Sequence, residues 1–245
     1  MRNVKLTIEY DGTDFHGWQR QPNERTVQGV LEEAIAQVLG HRVRLIGASR
    51  TDRGVHALGQ VANFKTTSKL PLETMLKAFN ALLPEDVVIR EIEEVPLDFH
   101  ARYGAKSKVY EYRLLSWPIR SPLERRFSWH VADSLDIEAM RECCRMLIGM
   151  HDFSSFMLSG SDTKNPIREM RRAEILLRPP HHITFVFEAT GFLRGMVRSI
   201  VGTLVDVGRG KLNPMQFKEI MEARDRSRAS ITAPPQGLFL VEVKF

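Results

Sequence analysis

Apolar and polar residues alternate from Asn3 to Tyr10, with Val4, Leu6 and Ile8 on one face, and this period of two predicts a strand. The alternation lapses into a polar and aromatic stretch from Tyr10 to Gln21, too long and too aromatic for a simple turn and expected to face a substrate. Thr26 then stands at the cap position of a helical stripe, Val27, Val30, Leu31, Ala34, Ile35, Val38 and Leu39, which Gly40 closes. Val43 to Ile46 and Gln60 to Phe64 read as two strands that bracket a dense polar segment. Pro71 opens a helix running to about Leu83, whose expected buried face is Met75, Leu76, Phe79, Leu82 and Leu83. Val87 to Val95 reads as a further strand.

Asp98 to Gly104 breaks the pattern and is expected to join two halves, 1–103 and 104–245. Lys108 to Leu115 alternates again, with Tyr110 and Tyr112 on one face. A proline- and arginine-containing excursion from Trp117 to Trp129 precedes an amphipathic helix over Asp136 to Ile148, stopped by Gly149. A polar loop is expected from His151 to Pro166. Ile167–Leu177 and His182–Ala189 read as paired strands around Pro179-Pro180. Phe192 to Val207 is mostly apolar but carries Arg194 and Arg198, expected one helical turn apart. Gly208-Arg209-Gly210 breaks it, a last helix spans about Pro214 to Ala223, and Leu238 to Phe245 closes as a strand. Strands outnumber helices and short loops join neighbours, so the fold class is α+β, an antiparallel sheet covered by helices on one face.

Composition narrows the function. A chain of 245 residues with 43% hydrophobic content can bury a core, and no apolar run approaches the roughly 20 residues of a bilayer span. The N-terminus enters a strand with no signal-peptide core, so a cytoplasmic protein is expected. Cys143 and Cys144 are adjacent and match neither a disulfide nor a zinc spacing. No His-Glu-x-x-His, Cys-x-x-Cys, phosphate-cradling glycine loop or serine elbow is present, so metal, nucleotide-consuming and serine-nucleophile chemistries have no motif. A net charge of +5 makes an anionic partner plausible.

The candidate chemistry gathers in Ala48 to Phe64. One carboxylate, Asp52, stands between Arg50 and Arg53, with Ser49, Thr51 and His56 nearby and Gly54 allowing a tight turn. The plain alternative is a surface turn in which Asp52 caps a backbone N–H. Against it stands the density of distinct side chains, and an adjacent guanidinium would orient the carboxylate for attack at, or proton removal beside, an electron-poor carbon. Arginines spread through the loops, with Trp18, Tyr110 and other aromatics among them, suit phosphates and unstacked bases. Together they point to chemistry on a nucleotide within RNA, with a non-catalytic RNA-binding module as the rival.

The motifs Tyr10-Asp11-Gly12, Gly17-Trp18-Gln19-Arg20-Gln21, Arg50-Thr51-Asp52-Arg53-Gly54-Val55-His56-Ala57, Phe99-His100-Ala101-Arg102, Tyr110-Glu111-Tyr112 and Met196-Val197-Arg198 occur in order along the chain. In this set the sequence resembles the tRNA pseudouridine synthase A family. It departs from it at Ser49, where the family usually has glycine, and at Lys108, where arginine is common. The resemblance implies a homodimer of two ferredoxin-like α/β halves whose largely antiparallel sheets join around a basic cleft. It implies isomerisation of uridine to pseudouridine at positions 38, 39 and 40 of the tRNA anticodon stem-loop, with no metal, nucleotide or organic cofactor and no membrane partner. On that resemblance Asp52 would act on the ribose, Arg50 would pair with it, Tyr110 would stack on the uracil, and Arg198 would anchor the Asp52 side of the site. Arg53, His56, Arg20 and Trp18 would complete the substrate-binding set.

Overall fold

The computed structural model describes residues 1–160 and 165–245. Two compact units divide the chain: Met1–Lys106 with Phe239–Phe245, and Ser107–Leu238. The expected division at 103/104 puts the whole C-terminal stretch in one half; in the structure the last strand belongs with the first unit.

The first unit begins with β1 (Arg2–Tyr10), α1 (Val27–Leu39), β2 (Ile46–Gly47), β3 (His56–Thr66), α2 (Leu72–Leu82) and β4 (Val87–Val95). β1 lies between β4 and β3, antiparallel to both, with Leu6 opposite Ile92 on one side and Ala62 on the other. Its alternation has the expected consequence: Val4, Leu6 and Ile8 are fully buried. The other face carries the cross-strand ion pair Lys5–Glu93 at 2.6 Å, partly exposed and contributing at most about 1 kcal/mol. Thr26 caps α1 by accepting from the Gly29 N–H, and Gly40 ends it in the left-handed region.

Two local expectations change here. Val43 to Leu45 is not strand; β2 is only two residues long, antiparallel to β3. Side chains of α1 take the place of a ladder: Glu32 Oε1 accepts from the Leu45 N–H at 3.0 Å, and Gln28 Nε2 donates to the Leu45 carbonyl at 3.2 Å. α2 buries only Met75 and Phe79, a single i, i+4 ridge, and leaves Leu82 exposed. Phe79 meets Phe64 of β3 edge-on, ring centroids 6.4 Å apart.

The second unit runs through β5 (Ser107–Ser116), β6 (Trp129–Val131), α3 (Ile137–Met146), β7 (Gly149–Asp152), β8 (Ile167–Arg178), β9 (His182–Ala189), α4 (Met196–Gly208) and α5 (Pro214–Ala223). Its strands are ordered β5-β9-β8-β7, antiparallel throughout, with β6 parallel to β5. Stacked Phe185 and Phe187 of β9, Tyr112 of β5 and nearly all of α4 lie in its core. Asn213 and Gln216 form a reciprocal capping box on α5, with Pro214 at the first helical position.

The stretch expected to be a polar loop from His151 is largely core. β7 takes its first residues, Phe153 and Phe156 are fully buried in a turn of 3-10 helix, and the Ser155 hydroxyl donates to the Ile220 carbonyl at 2.6 Å. Residues 161–164 of that expectation lie outside the described residues. Arg194 also falls before α4, so it does not share a helical face with Arg198; its guanidinium donates to the Ser159 and Gly160 carbonyls. The chain ends in β10 (Leu238–Lys244), whose Phe239 and Leu240 pair in parallel with His56 and Ala57 of β3. No described helix is long and apolar enough to cross a membrane.

Candidate active site

The loop carrying Asp52 leaves β2 and enters β3, and its backbone is held at nearly every residue. The Ala48 N–H donates to the Val61 carbonyl at 2.8 Å. Gln60, fully buried, donates from Nε2 to the Ser49 carbonyl at 2.8 Å and accepts from the Ser49 N–H at 3.3 Å. The Thr51 hydroxyl meets the Tyr10 phenol at 2.7 Å, both side chains buried. The Asp52 carbonyl accepts from the Val55 N–H, closing a turn in which Gly54 has φ of +76°.

A second loop, between β1 and α1, clamps this one from outside. The Trp18 N–H donates to the Thr51 carbonyl, and the Gly54 N–H donates to the Phe15 carbonyl. Two glycines make the approach possible. Gly17 has φ of +89°, and a Cβ there would lie 2.6 Å from the Thr51 carbonyl oxygen; a Cβ on Gly12 would lie 2.0 Å from that of Val55. The stretch expected to face a substrate therefore turns its aromatic residues inward: Phe15 and Trp18 are buried, the latter beside Tyr10.

His56 is buried too, in β3 rather than in the loop. Its ring stacks on Phe239 at 4.7 Å, and its Nδ1 faces both the Gly12 N–H at 3.0 Å and the Asp11 carboxylate at 3.1 Å. His56 and Trp18 are thus packed against the loop, at 1% and 2% exposure. Arg20 pairs with Glu32 at 3.1 Å and so ties the clamping loop to α1, while much of its guanidinium stays in solvent.

Asp52 is half-buried, whereas Arg50 and Arg53 are exposed. The loop thus presents one carboxylate on a fixed backbone, flanked by two cations able to meet phosphate oxygens.

In the second unit, Tyr110 of β5 is 5% exposed and packs edge-on against Phe192, ring centroids 5.0 Å apart. Arg198, in the first turn of α4, is held by the Ala233 backbone: Nε donates to its carbonyl at 2.7 Å, and the Ala233 N–H donates to the Arg198 carbonyl. The next carbonyl, Pro234, accepts from the Tyr112 hydroxyl at 2.7 Å. Burial raises the Tyr112 phenol well above its usual range, and the nearby Arg198 charge opposes this only in part. The segment 233–234 is thereby pinned from a helix and a strand. Gln60, Tyr10 and Tyr112 receive no role in the sequence reading, because a buried polar residue in a strand carries no local signal of its partner.

The family model described as tRNA pseudouridine synthase matches residues 6–104 and 143–245. The chain belongs to this family. Its relatives include proteins named tRNA pseudouridine synthase A: that of Acetivibrio thermocellus is 50% identical over 245 residues and the whole of both chains. That of a Thermoanaerobacter species is 49% identical over 243 residues, 99% of each chain. That of a Geobacter species is 44% identical over 246 residues, 100% of this chain and 99% of the relative.

Proposed function

We propose that this protein isomerises uridine to pseudouridine in tRNA, at positions 38, 39 and 40 of the anticodon stem-loop, acting as a homodimer without a cofactor. The reaction breaks the bond between uracil N1 and ribose C1′, turns the base, and joins C5 to C1′. C5 loses a proton and N1 gains one, so substrate and product are isomers and no oxidant or energy source enters. Asp52 acts on the sugar, as nucleophile at C1′ or as base at C2′. Arg50 and Arg53 bind phosphates beside the extruded nucleotide, and Arg20 extends that contact. Tyr110 stacks on the uracil and assists proton removal from C5, and Arg198 belongs to the substrate-binding set.

The observation that carries the reading is the Asp52 loop, clamped by Gln60, Tyr10 and the Gly12–Trp18 segment within a chain of this family. A fixed carboxylate suits the chemistry, because reorganising a loop during the reaction would add to the barrier. Extruding a base from a stem costs on the order of a few kcal/mol, which arginine contacts to the backbone offset. The test is incubation of unmodified tRNA with purified protein and no added cofactor, followed by chemical mapping. Pseudouridine at these three positions is expected. Stoichiometric RNA binding without any pseudouridine would favour a non-catalytic RNA-binding role instead.

A further inference from the structure

The four tyrosines differ sharply in environment. Tyr10, Tyr110 and Tyr112 are buried at 3%, 5% and 0% exposure, while Tyr103 is 79% exposed. An exposed aromatic on a loose tip would mean little, but this one is built in. Its ring stacks on His100, centroids 4.4 Å apart and planes 28° from parallel, and the Arg102 guanidinium lies 5.7 Å from its centroid. His100 Nδ1 accepts from both the Arg102 and Tyr103 N–H groups at 3.2 Å, which fixes the imidazole under the phenol. The His100 carbonyl accepts from the Gly104 N–H at 2.8 Å.

The base of this turn is anchored in the sheet. Asn3 and Asn63, both fully buried, bond to one another at 2.9 Å. Asn63 Oδ1 accepts from the Ala101 N–H, and Asn3 Nδ2 donates to the Pro96 and Phe99 carbonyls. The Phe99 ring packs against Phe245. A rigid aromatic face with an imidazole beneath it and a guanidinium beside it matches an unstacked nucleobase and its phosphate. Arg102 forms no ion pair among the described residues, so its charge is open to an anion. This turn and the Asp52 loop are held by different residues of β3: Asn63 accepts from Ala101, whereas Gln60 holds Ser49.

We propose that His100, Arg102 and Tyr103 form a second RNA contact: a platform on which an unpaired base of the substrate, other than the isomerised uridine, stacks on Tyr103 while Arg102 meets its phosphate. The choice of RNA as ligand rests on the proposed function. The platform binds the substrate and takes no part in the chemistry.

Fluorescence anisotropy with a labelled, unmodified tRNA transcript tests this across a salt series. Tyr103→Ala is expected to weaken binding roughly 10-fold, while Tyr103→Phe stays within about 2-fold of wild type. Arg102→Ala is expected to lower the slope of log affinity against log salt by about 0.7–0.9. Turnover at saturating tRNA should match wild type in all three. Wild-type affinity of Tyr103→Ala at every salt concentration would overturn the proposal. So would a loss accompanied by a lowered melting temperature or an altered sedimentation coefficient, which would make Tyr103 a structural residue or a contact between copies. Should none of the proteins form pseudouridine, the functional reading falls, while the affinity comparison still decides whether the platform binds RNA.

Discussion

The Thr51 hydroxyl and the Tyr10 phenol, 2.7 Å apart and buried, show how a single pair governs the residue next in sequence, Asp52. Breaking a buried hydroxyl pair costs about 1–3 kcal/mol, and here the strain falls on the backbone that carries the acid. Thr51→Val is therefore expected to reduce kcat at least about 10-fold with KM little changed, and Thr51→Ser to restore it; equal losses in both would show that the hydroxyl has no positioning role. Buried thiols give a second residue-scale outcome. Burial pushes the Cys143 and Cys144 thiols up to about 12 from a usual 9.0, so the folded state holds their protons more tightly than the unfolded chain. Their contribution is complete below pH 9 and is lost as pH rises towards 12, so the melting temperature should fall across that interval. At pH 8 a thiol reagent should label neither cysteine until the protein is denatured. As a candidate, Asp52 was legible in sequence because so many distinct polar groups crowd around it. The buried roles of His56 and Trp18 were not, because residue type does not reveal which side of a loop faces the core.

At the scale of elements, caps and close approaches decide most of the structure. Asn213→Ala removes the capping box of α5 and should cost about 1 kcal/mol, lowering the melting temperature by about 2–4 °C while leaving turnover unchanged. Gly12→Ala should do the reverse damage. The added Cβ meets the Val55 carbonyl oxygen, displaces the clamping loop and should abolish most activity, measured as pseudouridine formed per enzyme, while the helical signal in circular dichroism is retained. The long periodic elements, β1, α1, β4, β8 and β9, were legible because their own alternation or capping specifies them. The segment before Ile46 was misread as strand because Glu32 and Gln28 of α1 satisfy Leu45, a tertiary contact that no local pattern announces. Arg194 was likewise drawn into a helix that begins only at Met196.

For the whole molecule, what sequence hid was the destination of the last strand. β10 pairs in parallel with β3, at the end of the chain's path, and alternation alone cannot name a partner nearly two hundred residues away. Charge was easier to read. A net +5 with exposed Arg50, Arg53 and Arg102 predicts tRNA affinity that falls steeply as salt rises, checked by anisotropy over a salt series. The central claim remains that the carboxylate of Asp52 makes the isomerisation happen. Tritium release from C5-labelled uridine in tRNA, compared between wild type and Asp52→Asn alongside binding affinity, tests it most directly. The account predicts no release above background from Asp52→Asn, with affinity within about 3-fold of wild type. Substantial release from that variant would contradict it.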